Sequence, residues 1–135
     1  VIIPFEYGCI AHSDGDVLLH SICDAMLGAA GLKDIGFHFP DSDPEFKDID
    51  SKILLGRTLE LVKSKGYKIG NIDSTVCLER PKISPFIDSM KKVISEILEV
   101  TEDAVSIKAT TTEKMGFAGR GEGVVAIAVA MILKP

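Results

Sequence analysis

Apolar positions along the chain follow two periods. Leu18, Ile22, Met26, Leu27 and Ala30 recur at helical spacing and predict a helix from about Asp16 to Ala30, with Ser13 or Asp14 as its cap and Gly31 as its stop. Residues 31–50 hold Gly, two Pro and many Asp, and read as a loop. Ile53, Leu54, Leu59, Leu61 and Val62 mark a second helix, capped by Asp50 or Ser51 and ended by Gly66. Ile72, Ser74, Val76 and Leu78 alternate as one face of a strand, and Pro81 and Pro85 bracket a turn after it. Phe86, Met90, Val93, Ile94, Ile97 and Leu98 mark a third helix, and Val105 to Ala109 a short strand. Residues 110–123 read as a Gly- and Thr-rich loop. Val124 to Leu133 is continuously apolar and reads as a strand buried on both faces. The mixture is α+β, with helices on one side of a sheet.

The 135 residues fit one domain, spanning 1–135 without repeat or linker, with 46% hydrophobic and 26% charged residues. This balance excludes a disordered chain. Three cysteines without C-x-x-C spacing exclude a disulfide framework, and Cys9, Cys23 and Cys77 are expected reduced and buried. The net charge of −5 argues against a nucleic-acid partner. The longest apolar run, Val124 to Leu133, is too short for a membrane-spanning helix. Charge is uneven: residues 14–50 carry nine acids against two lysines, a local net of −7, so the remainder sums to +2. An anionic ligand at the acidic segment needs a bridging cation.

Four segments can carry chemistry. In Ala11-His12-Ser13-Asp14-Gly15-Asp16, followed by His20 and Asp24, positions 16, 20 and 24 share a helix face. A histidine with carboxylates one turn away suits a metal ligand, although the same pattern also describes a capped helix with a polar stripe. His12 falls before the expected helix start, where phosphate can bind, or is a loop histidine without a role. Asp34-Ile35-Gly36-Phe37-His38-Phe39-Pro40-Asp41-Ser42-Asp43-Pro44 is a stiff acidic loop that can hold polyol hydroxyls or a hard cation, or can be merely solvated. His38 reads as a surface residue. In residues 109–123, hydroxyls of Thr110, Thr111 and Thr112 and free backbone N–H groups can cradle phosphate, and Glu113 can hold a divalent ion. Leu78-Glu79-Arg80-Pro81-Lys82-Ile83-Ser84 is a stiff turn whose backbone can recognise a flat base.

Together, AHSDGDVLLH at 11–20, DIGFHFPDSDP at 34–44 and KATTTEKMGFAGRGEG at 108–123 resemble the 2-C-methyl-D-erythritol 2,4-cyclodiphosphate synthase family, over about Ile3 to Leu133. The resemblance implies a two-layer sandwich with a mixed β-sheet and helices on one face. It also implies a homotrimer with active sites between neighbouring subunits. The implied enzyme is a metal-dependent phosphorus–oxygen lyase of the non-mevalonate isoprenoid pathway. Such an enzyme converts 4-diphosphocytidyl-2-C-methyl-D-erythritol 2-phosphate to the cyclic diphosphate and CMP. By the same resemblance His20 is a Zn²⁺ ligand and Glu113 a ligand of Mg²⁺ or Mn²⁺. His12 and Thr111 stabilise the transition state. Ser13, beside His12, contacts substrate, while Asp34, Ile35, Gly36, and Phe39, Pro40, Asp41, Ser42 and Asp43 form the pocket for the methylerythritol phosphate end, with Asp24 as a support. Residues 78–84 bind cytosine, Thr110 and Thr111 contact phosphate, and Thr112 belongs to the substrate-binding residues. Phe117 and Arg120 face the trimer axis, where an isoprenoid diphosphate can bind.

The chain starts Val-Ile-Ile-Pro and reads as the middle of an element, so residues before Val1 are expected. The family pattern has an Asp-x-His there that completes the zinc site with His20. With that motif missing, the 135 residues alone should hold zinc poorly. The alternatives are a non-catalytic trimeric binder of cytidine nucleotides or isoprenoid diphosphates, and a metal-dependent phosphohydrolase. The expected location is the cytoplasm of a bacterium, or the plastid or apicoplast of a eukaryote.

Overall fold

The computed structural model describes residues 8–40, 42–46, 49–77, 86–111 and 125–135, with side chains from residue 17 onward. In chain order the elements are α1 (Gly8–Ala29), α2 (Ile35–His38), α3 (Ser51–Ser64), β1 (Lys68–Cys77), α4 (Ile87–Leu98), a 3-10 turn (Glu102–Ala104), β2 (Val105–Thr110) and β3 (Val125–Leu133).

The sheet is mixed, in the order β2-β1-β3. β1 runs parallel to β2 and antiparallel to β3, with Cys77 opposite both Thr110 and Val125. A bulge between Ile69 and Asn71 shifts the β1–β3 register. Gly70 sits in it, where an added Cβ would meet the Met131 carbonyl oxygen at 3.1 Å, so the close approach of the two backbones favours glycine.

α1 packs on β3, α4 packs on β2, and α3 packs on α1 and α4. The helices thus cover one face of the sheet. The core lies between them: Ile22 and Met26 of α1, Leu55 and Val62 of α3, Ile72 of β1 and Leu98 of α4 are all buried. Each such side chain contributes roughly 1.5–3 kcal/mol on burial, which is how the helical and alternating patterns of the sequence become one packed unit.

Helix ends follow their local chemistry. α1 stops as expected: the Leu32 N–H donates to the Leu27 carbonyl at 2.8 Å while Gly31 takes φ +70°. The Asp50 carboxylate caps α3 by accepting the Lys52 N–H at 2.9 Å. Gly66, at φ +88°, ends it.

Three expectations change. α1 begins at Gly8 rather than near Asp16, so His12 and Ser13 occupy helical backbone and do not precede a cap. The step from Ala11 to Leu18 keeps phase with Ile22 and Met26, so the helical period extends upstream through Ser13 and Asp14. Residues 31–50 are not all loop, because Asp34 caps the single turn of α2. β3 is covered on one face only, and there its residues are half-buried. Ala128, Ala130 and Ile132 pack toward the core, while Ile127, Val129, Met131 and Leu133 are 64%, 65%, 59% and 43% exposed. Small residues alternate with large ones, and the small side lets α1 approach closely.

Candidate active site

His20 stands on the exposed side of α1, two turns after the AHSDG segment. Its Nε2 is 3.2 Å from Oγ of Ser51, the first residue of α3. Asp24 follows one helical turn later on the same face. Its Oδ1 accepts the Ile35 backbone N–H at 2.8 Å. Asp34 Oδ1 accepts the Phe37 N–H at 2.9 Å. Two carboxylates therefore satisfy N–H groups at the start of α2, one from α1 and one from the cap itself. The acidic loop is clipped to the helix that carries His20.

The remainder of that loop is built from turns. Phe39 packs against the core and meets the Phe46 ring edge-on at 5.3 Å. The Asp43 N–H donates to the Pro40 carbonyl at 3.0 Å, and Asp43 Oδ1 accepts the Glu45 N–H at 2.9 Å. Ser42 is exposed and Pro40 is half-buried. Asp34 and Gly36 are exposed, and Ile35 packs against the core. Asp41 lies outside the described residues. His38 is not a plain surface residue: its Nε2 lies 2.6 Å from the Leu32 carbonyl oxygen, and since a carbonyl only accepts, this nitrogen carries the proton. The Phe37 ring is 59% exposed, with the Lys33 ammonium 4.2 Å from its centroid.

A second grouping follows from strand register. β1 and β2 run parallel and end together at Cys77 and Thr110, beside Val125 at the start of β3. The described ends of β1 and β2 therefore lie side by side at one end of the sheet. Thr110 and Thr111 are exposed there, and Thr110 Oγ1 lies 3.4 Å from the Thr111 carbonyl oxygen. Leu78 to Ser84, Thr112, Glu113, Phe117 and Arg120 lie outside the described residues, as do the side chains of His12 and Ser13.

Among the described residues, no group of three or more His, Cys, Asp or Glu side chains is gathered as a metal cage. His20 fits one position of such a cage. It is exposed, and Ser51 holds one of its ring nitrogens, leaving Nδ1 for a second partner. Cys23 does not fit. It is fully buried, and desolvation pushes its thiol up to about 11, so it is a neutral thiol at pH 7 and a poor nucleophile. Cys77 is free but only half-buried, less than expected.

A profile of the YgbB family matches residues 1–133. The chain belongs to the YgbB family. A relative from Bacteroides fragilis, named 2-C-methyl-D-erythritol 2,4-cyclodiphosphate synthase, is 56% identical over 132 residues, covering 98% of this chain and 83% of the relative. A solved structure of 2C-methyl-D-erythritol-2,4-cyclodiphosphate synthase superposes with a TM-score of 0.86 at 36% identity, covering 98% of this chain and 86% of that one. The CDP complex of IspF from Plasmodium falciparum gives a TM-score of 0.77 at 39% identity, over 92% of this chain and 74% of that one. The resemblance carried by the three motifs is thereby borne out, as is the α+β class with a mixed sheet. Ser51 is the residue whose place sequence reading missed. Asp50-Ser51 before an apolar helix signals a cap and gives no hint of the histidine 31 positions away.

Proposed function

We propose that this YgbB-family chain is a lyase of isoprenoid biosynthesis that closes 4-diphosphocytidyl-2-C-methyl-D-erythritol 2-phosphate into 2-C-methyl-D-erythritol 2,4-cyclodiphosphate. An oxygen of the 2-phosphate forms a bond to the β-phosphorus. The bond from that phosphorus to the oxygen bridging the α-phosphate breaks, and CMP leaves with the electron pair. The observation that carries this reading is the match to a synthase structure over 98% of the chain, which spans all three motif segments in order.

Catalysis of this kind rests on positioning and on charge neutralisation. His20 would be a ligand of Zn²⁺, and Glu113 a ligand of Mg²⁺ or Mn²⁺. Such ions supply Lewis-acid polarisation and offset phosphate charge. Asp34 to Gly36 and Phe39 to Asp43 grip the methylerythritol phosphate end. The Asp24–Ile35 bond of 2.8 Å supports this division, because it fixes that loop to the helix of His20. Residues 78–84 take the cytosine, while Thr110, Thr111 and Thr112 take phosphate oxygens. The shared sheet end at Cys77 and Thr110 supports that pairing. His12 and Thr111 steady the transition state, with Ser13 on the substrate.

The assembly is a homotrimer whose sites lie between subunits. The open β3 face, with Ile127 and Val129 at 64% and 65% exposure, is the kind of apolar stripe that a neighbouring copy covers. Phe117 and Arg120 face the axis, where a diphosphate group can meet the arginine fork. A purely binding trimer is the less favoured reading, since the chain keeps Glu113 and the three threonines.

Chelation tests the metal dependence. Removing divalent ions is expected to stop CMP release, measured by chromatography, and Zn²⁺ with Mg²⁺ is expected to restore it. Undiminished release in chelator would contradict the metal roles of His20 and Glu113.

A further inference from the structure

We propose that Ser51 is the positioning residue of the His20 imidazole: its oxygen accepts the Nε2–H and leaves the Nδ1 lone pair for a divalent cation. The inference rests on the reading of His20 as a metal ligand and deepens it. Ser51 Oγ lies 3.2 Å from His20 Nε2, joining the start of α3 to α1 across 31 residues. The serine is only 4% exposed, so its hydroxyl is held in place by packing, while the imidazole reaches solvent.

Helix capping does not explain this serine. Asp50 already caps α3 through the Lys52 N–H at 2.9 Å. A serine at the first helical position has no capping advantage over alanine and a weaker helix propensity. A buried hydroxyl is costly unless it is hydrogen-bonded, and here one of its contacts is a ring nitrogen on another helix.

The chemistry follows from the two ring nitrogens. A neutral imidazole carries one proton, and only the unprotonated nitrogen can bind a cation. With Nε2–H donated to Ser51, Nδ1 is the ligand and the ring plane is fixed by a group on a separate element. If Ser51 instead donated to Nε2, the proton would sit on Nδ1 and block binding. Partners of this kind typically change metal affinity by about 10–100-fold.

The test uses protein made from the full open reading frame: wild type, Ser51→Ala, Ser51→Thr and His20→Ala. Zn²⁺ affinity is measured by competition with a chromophoric chelator, and folding by thermal unfolding. The proposal predicts about 10–100-fold weaker binding for Ser51→Ala, without a matching loss of thermal stability, and recovery in Ser51→Thr. Wild-type affinity in Ser51→Ala, with binding lost in His20→Ala, would overturn the positioning role and leave the ligand reading intact. Wild-type affinity in His20→Ala would overturn the ligand reading and the proposal with it. Should Ser51→Ala fold poorly, long-range ¹H–¹⁵N spectra of zinc-loaded wild type decide. A proton on Nε2 of His20 supports the proposal, and a proton on Nδ1 overturns it.

Discussion

Replacing His20 with alanine is expected to lower kcat/KM for CMP release by about 10²–10³-fold while leaving the fold intact. The magnitude follows from the charge stabilisation that a metal gives a transferring phosphoryl group. That stabilisation is worth several kcal/mol, and each ~1.4 kcal/mol is a factor of ten. The intact fold follows from position. His20 is exposed, and its described bond is the single 3.2 Å contact to Ser51. Loss of one such contact costs about 1 kcal/mol of stability. Steady-state kinetics beside thermal unfolding separates the two effects. Turnover within a few-fold of wild type would contradict the proposed metal role of His20.

The second large effect is expected at the open face of β3. Val129 is 65% exposed in the isolated chain, and its neighbours along the face, Ile127 and Met131, are 64% and 59% exposed. Covering such side chains contributes roughly 1.5–3 kcal/mol each. A glutamate at position 129 would carry a charge into the proposed interface. It would also face Asp73, the cross-strand partner of Val129, whose carboxylate already pairs with Lys108 at 2.9 Å. Like charges directly opposite on a sheet destabilise, and an unpaired buried charge costs more. Val129→Glu is therefore expected to give monomers by analytical ultracentrifugation and to abolish CMP release, because the proposed active sites lie between two subunits. Val129→Ile is expected to stay trimeric and active. A trimeric and active Val129→Glu would contradict the assembly proposed for this face.

Much of this architecture was legible in the chain itself. The Ile72, Ser74, Val76 alternation marks the buried side of β1, and the Asp50 cap and Gly66 stop bound α3 as expected. What misled were patterns with two physical readings. A run such as Val124 to Leu133 is apolar whether its second face meets a helix of the same chain or another surface. Its alanines, which face α1, were the only local hint that the two sides differ. Ser13 and Asp14 have the chemistry of a cap, yet the helical phase running from Ala11 to Leu18 outweighs them. At the candidate site, motif chemistry singled out His20 and the Asp34–Asp43 loop, but it could not reveal what holds them. The Asp24–Ile35 and Ser51–His20 bonds join residues 11 and 31 positions apart, a relation that only tertiary packing creates.

The most direct test of the cyclisation itself is ³¹P NMR of 4-diphosphocytidyl-2-C-methyl-D-erythritol 2-phosphate incubated with the protein, Zn²⁺ and Mg²⁺. The substrate resonances are expected to give way to those of one cyclic diphosphate and CMP, with no inorganic phosphate. Release of inorganic phosphate, or a spectrum unchanged after prolonged incubation of the metal-loaded full-length protein, would contradict it.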